Sequence, residues 1–233
     1  MIIYAIIPAR SGSKGLADKN IKQIGGKPLL AHSIEFANKL KVDRVFCSTD
    51  SIIYAAIAKK YGAEVPFLRS TEASSSIAME QDILKDLYDC FEKDNIPQPD
   101  ILVWLRPTFV FRNLNDVTKC INLLKKDSTL TSARTVCESE SRLYKEDGGI
   151  LKPMFEDNGK SMIRRQDIVR QYKVFSTDVF RSDKKNISDS FLGNRVAVII
   201  TNKLCGLDID DEMDFEIVQS ILTNNQQIIN ENT

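Results

Sequence analysis

The sequence is poor in the residues on which thiol, imidazole and metal–sulfur chemistry depend. Its five cysteines are scattered, with no CxxC pair, and His32 is its single histidine. An odd number of isolated cysteines fits reduced thiols in a cytoplasmic protein better than disulfides or a zinc site. Because His32 lies inside an apolar helical pattern, we interpret it as a packed or surface helix residue and not as a catalytic base.

The chain also lacks an excess of either charge and any long apolar run. Lys+Arg and Asp+Glu both number 32, so the formal net charge is zero. No apolar run approaches the ~18 residues of a membrane helix, and the apolar start of the chain is short and has no basic segment before it. We therefore expect no membrane span, no signal peptide, and no nucleic acid or anionic membrane as main partner.

What remains is enough apolar sequence for one substantial core, since 42% of the 233 residues are hydrophobic. Strand-like runs alternate with helical patterns, which predicts an α/β fold with a mostly parallel twisted sheet and helices on both faces. We expect a single domain over 1–233. Predicted strands cover 1–7, 45–48, 101–105, 130–133 and 196–200, and predicted helices cover 28–40, 51–61, 80–92, 114–124 and 212–222.

The alternation changes between 142 and 155. Asp147-Gly148-Gly149 lies there between two short mixed segments, which predicts a β-hairpin with a glycine-rich turn. From about 223 onward the chain is rich in Asn and Gln, and we expect a frayed tail.

A basic Ser/Gly loop follows the first predicted strand, with the sequence Pro-Ala-Arg-Ser-Gly-Ser-Lys-Gly over 8–15. Its glycines allow backbone N–H groups to approach phosphate oxygens, and Arg10, Lys14 and Lys19 supply positive charge. The loop is neither a Walker A motif nor a GxGxxG motif, because the closing Gly-Lys-Ser/Thr is missing and the glycine spacing differs. Taken alone, it also fits a plain Ser/Gly turn with solvated lysines.

An acidic run near the end of the chain contains a possible metal-binding pair. Asp208 and Asp210 are separated by Ile209, so in an extended segment both carboxylates lie on one face. Two carboxylates suit Mg²⁺ when substrate phosphates complete its coordination. The alternative is that the whole run over 208–214 is a helix start, where acids are favoured; we expect that role for its later members.

Three segments fall at predicted strand ends: 9–19, 106–108 and 207–210. Ligands of α/β sheets bind beyond the carboxyl ends of the strands. The sequence therefore predicts one site, to which all three segments contribute, and function is argued from that grouping because the fold alone would not supply it.

These motifs resemble those of the acylneuraminate cytidylyltransferase family, the enzymes that make CMP-activated sugar acids. Further matches follow in the same order, and the nucleotide and metal motifs look closest to the pseudaminate branch. The matching segments are Ser48-Thr49-Asp50, 61–69, Arg106-Pro107-Thr108, Arg164-Arg165-Gln166 and 207–214.

The resemblance implies a Rossmann-like nucleotidyltransferase fold with a small antiparallel lid over 140–176, through which a homodimer forms. It also implies a Mg²⁺-dependent reaction, in which a hydroxyl of a 2-keto sugar acid (a nonulosonate such as sialic, legionaminic or pseudaminic acid) attacks the α-phosphorus of CTP and releases pyrophosphate. Catalysis would consist mainly of positioning and charge neutralisation.

The resemblance also implies roles for individual residues. Arg10, Lys19, Asp208 and Asp210 are the expected catalytic residues, and the two aspartates are the expected metal ligands. The nucleotide would be bound by Ala9, Arg10, Ser11, Gly12, Lys14, Lys19, Asn20 and Arg69. The acceptor would be bound by Arg106, Pro107, Thr108, Lys145, Arg165 and Lys173, with Lys145 and Arg165 reaching the partner subunit's site.

The chain departs from the family pattern on the acceptor side. Arg106 stands where the family usually has glutamine, Met79-Glu80 lies in a segment that replaces Thr-Ala-Ser-Ser, and 173–177 replaces Arg-x-Asn-Gly-Ala. We hypothesise that the guanidinium of Arg106 holds a substrate carboxylate in a bidentate manner. The identity of the sugar acid is left open.

Three alternatives to this reading remain at the level of sequence. The first is a nucleotidyltransferase of the same fold that uses another base or sugar. The second is a nucleotide-binding homologue without transfer activity, against which Lys19, Asp208 and Asp210 argue. The third is an α/β scaffold without a small-molecule site, which the three converging motifs disfavour.

Overall fold

The protein is described here by a computed structural model, which covers residues 1–13, 15–140, 143–154, 169–182, 190–225, 227 and 229–230. The described strands are β1 (Ile3–Pro8), β2 (Gln23–Ile24), β3 (Lys27–Pro28), β4 (Arg44–Ser48), β5 (Ile101–Leu105), β6 (Ser132–Glu138), β7 (Tyr144–Asp147), β8 (Ile150–Pro153), β9 (Tyr172–Lys173), β10 (Thr177–Arg181) and β11 (Val196–Thr201). The helices are α1 (Leu29–Lys39), α2 (Ile52–Lys60), α3 (Thr71–Ser74), α4 (Glu80–Lys93), α5 (Leu114–Lys126) and α6 (Glu212–Asn224), with two 3-10 helices at Lys19–Ile21 and Lys203–Gly206.

A seven-stranded sheet forms the centre, in the order β11-β6-β10-β5-β1-β4, with β9 paired to β6. β1 runs parallel to β4 and β5, and β11 runs parallel to β6. β10 is inserted antiparallel between β5 and β6. The predicted mostly parallel α/β sheet is confirmed, whereas β10 was not predicted, because only two of its five residues, Val179 and Phe180, are apolar.

Helices cover both faces of this sheet, as predicted. α1, α2 and α5 pack on one face, where the core includes Ile34, Ala58 and Ile121. α4 packs on the other face through an amphipathic stripe that includes Leu84 and Phe91. The carboxyl ends of β1, β4 and β5 therefore lie at one edge of the sheet, between the two layers of helices.

The helix starts have local chemical causes that the sequence already contains. The side chain of Ser51 accepts a hydrogen bond from the backbone of Tyr54, and Asn113 accepts one from Asp116 in the same way. These N-caps satisfy backbone donors that the first helical turn leaves without partners.

No helix in the described part of the chain is long and apolar enough to cross a membrane.

His32 is packed in α1, as the sequence predicted. Its Nε2 lies 3.0 Å from the carbonyl oxygen of Ile24, and burial lowers the pKa of the imidazole to about 4. The ring is therefore neutral at neutral pH and is bonded to the chain, so the structure gives it no role as a catalytic base.

The predicted hairpin is present over 143–154. β7 and β8 pair antiparallel, and the turn residues Gly148 and Gly149 have φ angles of 63° and 82°. A two-residue turn with both φ angles positive matches the twist of the strands and favours glycine. Of the expected lid over 140–176, residues 141–142 and 155–168 lie outside the described residues. Both the role of the lid and the single-domain boundary stay predictions.

One edge of the sheet leaves apolar side chains uncovered. Along β11, Ala197 and Ile199 pack against the core, while Val196, Val198 and Ile200 are exposed. These exposed side chains lie on the face of the sheet that α4 covers elsewhere. In the described part of the chain, α4 therefore does not extend over β11.

Candidate active site

The loop after β1 is fixed to the end of β4. The backbone N–H and the hydroxyl of Ser11 both donate to the carboxylate of Asp50, at 2.7 and 2.8 Å. Burial alone would raise the pKa of Asp50, but these hydrogen bonds hold it below its usual value. Gly12 then turns the chain with a φ of 65°. The N–H and hydroxyl groups of Ser11, a predicted nucleotide-binding residue, therefore stabilise the conformation of the loop.

The basic side chains of this region lie around that loop. Arg10 donates from Nη1 to the carbonyl oxygens of Ser74 and Ser75 at 3.4 and 3.3 Å. The buried Asn20 donates to the carbonyl oxygen of Arg10 at 3.0 Å, and Ala9 is fully buried beside β4. Lys14 lies outside the described residues.

Lys19 joins the loop to the acidic segment at the other end of the chain. Its Nζ donates to the carbonyl oxygen of Ile209 at 2.5 Å and lies 3.6 Å from Asp210 Oδ1. Gly15 approaches the same segment so closely that a Cβ there would stand 2.5 Å from the carbonyl oxygen of Asp210. The two predicted motifs therefore form one site, and Gly15 is required for their close approach.

The carboxylate pair has the predicted alternation. Ile209 is fully buried among Phe111 and Phe215, while Asp208 is partly buried and the side chain of Asp210 is 77% exposed. Burial raises the pKa of Asp208, the charge of Asp210 raises it further, and a hydrogen bond with the Thr108 side chain opposes both. Asp208 Oδ1 is buried and has no hydrogen-bond partner in the described structure, which suits an oxygen that binds a cation.

The rest of the acidic run starts a helix. The side chain of Asp211 accepts from the backbone N–H of Asp214, and Asp214 accepts in return from the N–H of Asp211, which forms a capping box for α6. The helix-start alternative therefore holds for these two residues, whereas Asp208 and Asp210 precede the cap.

The segment after β5 contributes Thr108 to the site. Its carbonyl oxygen accepts from the N–H of Ile209 at 3.1 Å, and its side chain hydrogen-bonds Asp208. Pro107 is buried beside it. The convergence of all three predicted segments on one edge of the sheet is thus present in the structure.

Arg106 is engaged by the protein's own carboxylates. Nε donates to Glu80 Oε1 at 2.7 Å, Nη2 contacts the same oxygen, and Nη1 donates to Asp178 Oδ2 at 2.8 Å. A substrate carboxylate could bind the guanidinium of Arg106 only if Glu80 or Asp178 first moved away from it. The hypothesis that Arg106 binds a substrate directly stays a prediction, and the structure gives the residue a different set of partners.

Four further predicted residues occupy different surroundings. Lys173 lies at the end of β9, and its charge lowers the pKa of Asp208, which places it on the side of the carboxylate pair. Arg69 is buried against β4, where it donates to the carbonyl oxygen of Ser48 at 2.6 Å, and burial lowers its pKa to about 10. Lys145 is exposed on the hairpin, and Arg165 lies outside the described residues.

Sequence reasoning gave no role to Arg112, which is buried beside Arg106 and Ser176. It donates to Ser33 Oγ at 3.0 Å and to the carbonyl oxygens of Arg106 and Ser176. Burial lowers its pKa to about 9, and in the described structure no carboxylate pairs with it. An arginine directly after an apolar Phe-Val-Phe run was the available signal for such a buried cation.

The fold and the site together define the class of protein. A Rossmann-like sheet that brings a basic Ser/Gly loop, Lys19 and an aspartate pair to its carboxyl edge is the arrangement of a nucleotidyltransferase. The sequence model of a family described as "Cytidylyltransferase" matches residues 4–180. The chain belongs to this cytidylyltransferase family, and the acylneuraminate-type relatives expected from the motifs are found.

Curated relatives cover nearly the whole chain. The N-acylneuraminate cytidylyltransferase of Escherichia coli O18:K1:H7 is 34% identical over 94% of this chain, which spans about half of that protein (52%). The CMP-N,N'-diacetyllegionaminic acid synthase of Legionella pneumophila is 28% identical over 98% of this chain and 100% of its own length. The pseudaminic acid cytidylyltransferase of Campylobacter jejuni serotype O:23/36 is 28% identical over 90% of this chain and 92% of its own length.

Solved structures support the fold. A CMP:2-keto-3-deoxy-manno-octonic acid synthetase complexed with CTP matches with a TM-score of 0.67 at 16% identity, over 95% of this chain and 98% of that chain. The 4-diphosphocytidyl-2C-methyl-D-erythritol synthase of Anaerococcus prevotii matches with a TM-score of 0.63 at 17% identity, over 96% of both chains. At these identities the likeness establishes the fold alone.

Proposed function

We propose that this enzyme transfers CMP from CTP to a 2-keto sugar acid of the nonulosonate type and releases pyrophosphate. The observation that carries the proposal is the contact of Lys19 with the segment of Asp208 and Asp210, directly beside the basic loop. The names of the curated relatives, which make CMP derivatives of sialic, legionaminic and pseudaminic acids, support the class of acceptor.

In this mechanism the chain's own residues orient the triphosphate and offset its charge. Arg10 and Lys19 would face its oxygens, where charge-assisted hydrogen bonds are strongest. Stabilisation of the charge that develops on the pyrophosphate leaving group and alignment of the attacking hydroxyl would supply most of the rate. Neither a histidine nor a cysteine is needed.

We propose Asp208 and Asp210 as the ligands of a Mg²⁺ ion. The buried, unpartnered Oδ1 of Asp208 and the neighbouring carboxylate fit a hard divalent cation. In the described residues no group of three or more potential metal ligands occurs, so substrate oxygens would complete the coordination. When bound, the ion would act as a Lewis acid on a phosphoryl oxygen.

We further propose a cytoplasmic homodimer. The exposed apolar side chains of β11 and of the hairpin, among them Val198, Ile200, Ile150 and Leu151, form surface of the kind that subunit interfaces cover. Lys145 on the same hairpin would then reach the partner subunit's site. All five cysteines are free, which fits a reducing compartment.

Pyrophosphate release tests the proposal. Wild-type enzyme should release it from CTP and Mg²⁺ with one member of a panel of sialic, legionaminic, pseudaminic and octulosonic acids, and Asp210→Asn should abolish the release. Glu216→Gln, the same loss of a carboxylate at an exposed position of α6, serves as the matched control. Turnover with UTP or ATP in place of CTP would favour the alternative base, and tight CTP binding without transfer to any acid would favour the binding-only homologue.

A further inference from the structure

A phenylalanine on the acceptor side is held in an unfavourable backbone conformation with its ring half exposed. Phe175 lies in the loop between β9 and β10, has a φ of 87°, and is 50% exposed. Positive φ is rare for bulky residues and persists where surrounding contacts impose it, and residues held in this way cluster at active sites and ligand-binding sites.

The loop that contains Phe175 lies at the ligand-binding edge of the sheet. It follows β9, which pairs with the carboxyl end of β6 at Cys137 and Glu138. The ammonium group of Lys173 in β9 lies 5.7 Å from the ring centroid of Phe109, the residue after Thr108. Ser176, the residue after Phe175, gives its carbonyl oxygen to Arg112. The ring is therefore on the side where the acceptor would approach the metal pair.

Two arginines hold Phe175 in place. Arg106 Nη1 donates to the carbonyl oxygen of Phe175 at 2.7 Å, and its guanidinium carbon lies 5.1 Å from the ring centroid. The guanidinium carbon of Arg134 lies 5.5 Å from the same centroid. Cation–π attraction of this kind fixes the ring without covering it.

These arginines are fixed in turn by the carboxylates of Asp178 and Glu80. Asp178 is fully buried and accepts from Arg106 and from Arg134 Nε, each at 2.8 Å. Glu80 occupies the remaining edge of Arg106. The four side chains sum to zero charge, so the cluster is balanced without a substrate carboxylate.

We propose that Phe175 is a specificity-determining residue that forms an apolar wall of the acceptor site. It would contact an apolar part of the sugar acid, such as the methyl of an acyl group or a deoxy carbon. Arg106 and Arg134 are positioning residues that act through Phe175, with Glu80 and Asp178 holding them. This inference rests on the proposed function and replaces direct carboxylate binding by Arg106.

Kinetics of Phe175→Asn and Phe175→Tyr test the assignment. Asparagine tolerates positive φ but has no apolar ring, so the acceptor KM should rise at least about tenfold, while the CTP KM stays within about twofold and resistance to urea does not fall. Phe175→Tyr should retain an acceptor KM close to that of the wild type. Ile53→Ala removes an exposed apolar side chain from α2 and should change neither KM.

A double-mutant cycle separates positioning from direct binding. Arg106→Gln should raise the acceptor KM in the wild-type background and have little further effect in the Phe175→Asn background. If the effects of the two substitutions on the acceptor KM multiply, Arg106 binds the substrate directly and the inference is overturned. Equal rises of the acceptor and CTP KM values in Phe175→Asn, or an unchanged acceptor KM in that variant, would also overturn it. Wild-type enzyme inactive toward every sugar acid would instead refute the proposed function, and this inference with it.

Discussion

The ammonium group of Lys19 lies 3.6 Å from Asp210 Oδ1, although 191 positions separate the two residues in the chain. The Lys19 side chain is only 12% exposed, whereas that of Asp210 is 77% exposed. A largely buried cation and an accessible carboxylate thus stand side by side beside the basic loop. The open side of this pair is where we propose that phosphate groups and the metal ion bind.

Loss of the Lys19 charge should impair transfer more than folding. Lys19→Met should lower kcat by about 10²–10³-fold, the range found when a preorganised group that stabilises transition-state charge is removed. Steady-state kinetics with CTP and the active sugar acid provide the measurement. Lys59→Met, at an exposed position of α2, is the control, and equal losses in the two variants would show that the effect is not specific to the site.

The aspartates of the acidic run over 208–214 should serve two separate functions, helix capping and catalysis. Asp211→Ala removes the N-cap of α6 and should lower the free energy of unfolding by about 1 kcal/mol, while kcat changes less than a few-fold. Asp210→Asn should do the reverse, with turnover abolished and stability nearly unchanged. Urea unfolding and pyrophosphate release, measured on both variants, check this division; loss of turnover in Asp211→Ala at full folding would contradict it.

His32 should make the protein less stable in mild acid. Its pKa is about 4 in the folded state and 6.5 without burial, so the unfolded chain takes up the proton first as the pH falls. The stabilisation is therefore present above about pH 6.5 and is lost as the pH falls toward 4. Between pH 7 and pH 5 the wild type should lose about 2 kcal/mol more of its unfolding free energy than His32→Gln. Parallel pH dependences of the two proteins would contradict the assignment.

The exposed face of β11 should lie in the subunit interface. Val198→Lys places a charge in the middle of that apolar row and should shift the protein from dimer to monomer in sedimentation equilibrium. Ile53→Lys, at a similarly exposed apolar position on α2, should leave the dimer intact. A wild-type monomer, or a Val198→Lys dimer of unchanged affinity, would contradict the proposed assembly.

The sequence predicted those parts of the fold and site that depend on local patterns. β5 is an uninterrupted apolar run and was placed at its observed bounds, and the i, i+2 spacing of Asp208 and Asp210 around an apolar residue predicted their alternation. β10 was not predicted because its two apolar residues, Val179 and Phe180, lie between Asp178 and Arg181 and form no apolar run of strand length. In the fold that carboxylate is buried but neutralised by Arg106 and Arg134.

The partners of Arg106 could not be predicted from a single sequence. Glu80 and Asp178 lie 26 and 72 positions away, and nothing in their local sequence pairs them with an arginine. An unpartnered arginine near a predicted site was therefore assigned to the substrate. The three-dimensional structure shows that the protein itself supplies both carboxylates that bind Arg106. It also shows that Arg106 contacts Phe175.

The most direct test of cytidylyl transfer at this site is ³¹P NMR of the reaction between CTP, Mg²⁺ and the sugar-acid panel. The account predicts that CTP signals are replaced by equal amounts of pyrophosphate and one new phosphodiester with a single acid, and that Asp210→Asn leaves CTP intact while Glu216→Gln behaves as the wild type. Full turnover by Asp210→Asn, or no phosphodiester with any acid from folded, CTP-bound wild-type enzyme, would contradict it.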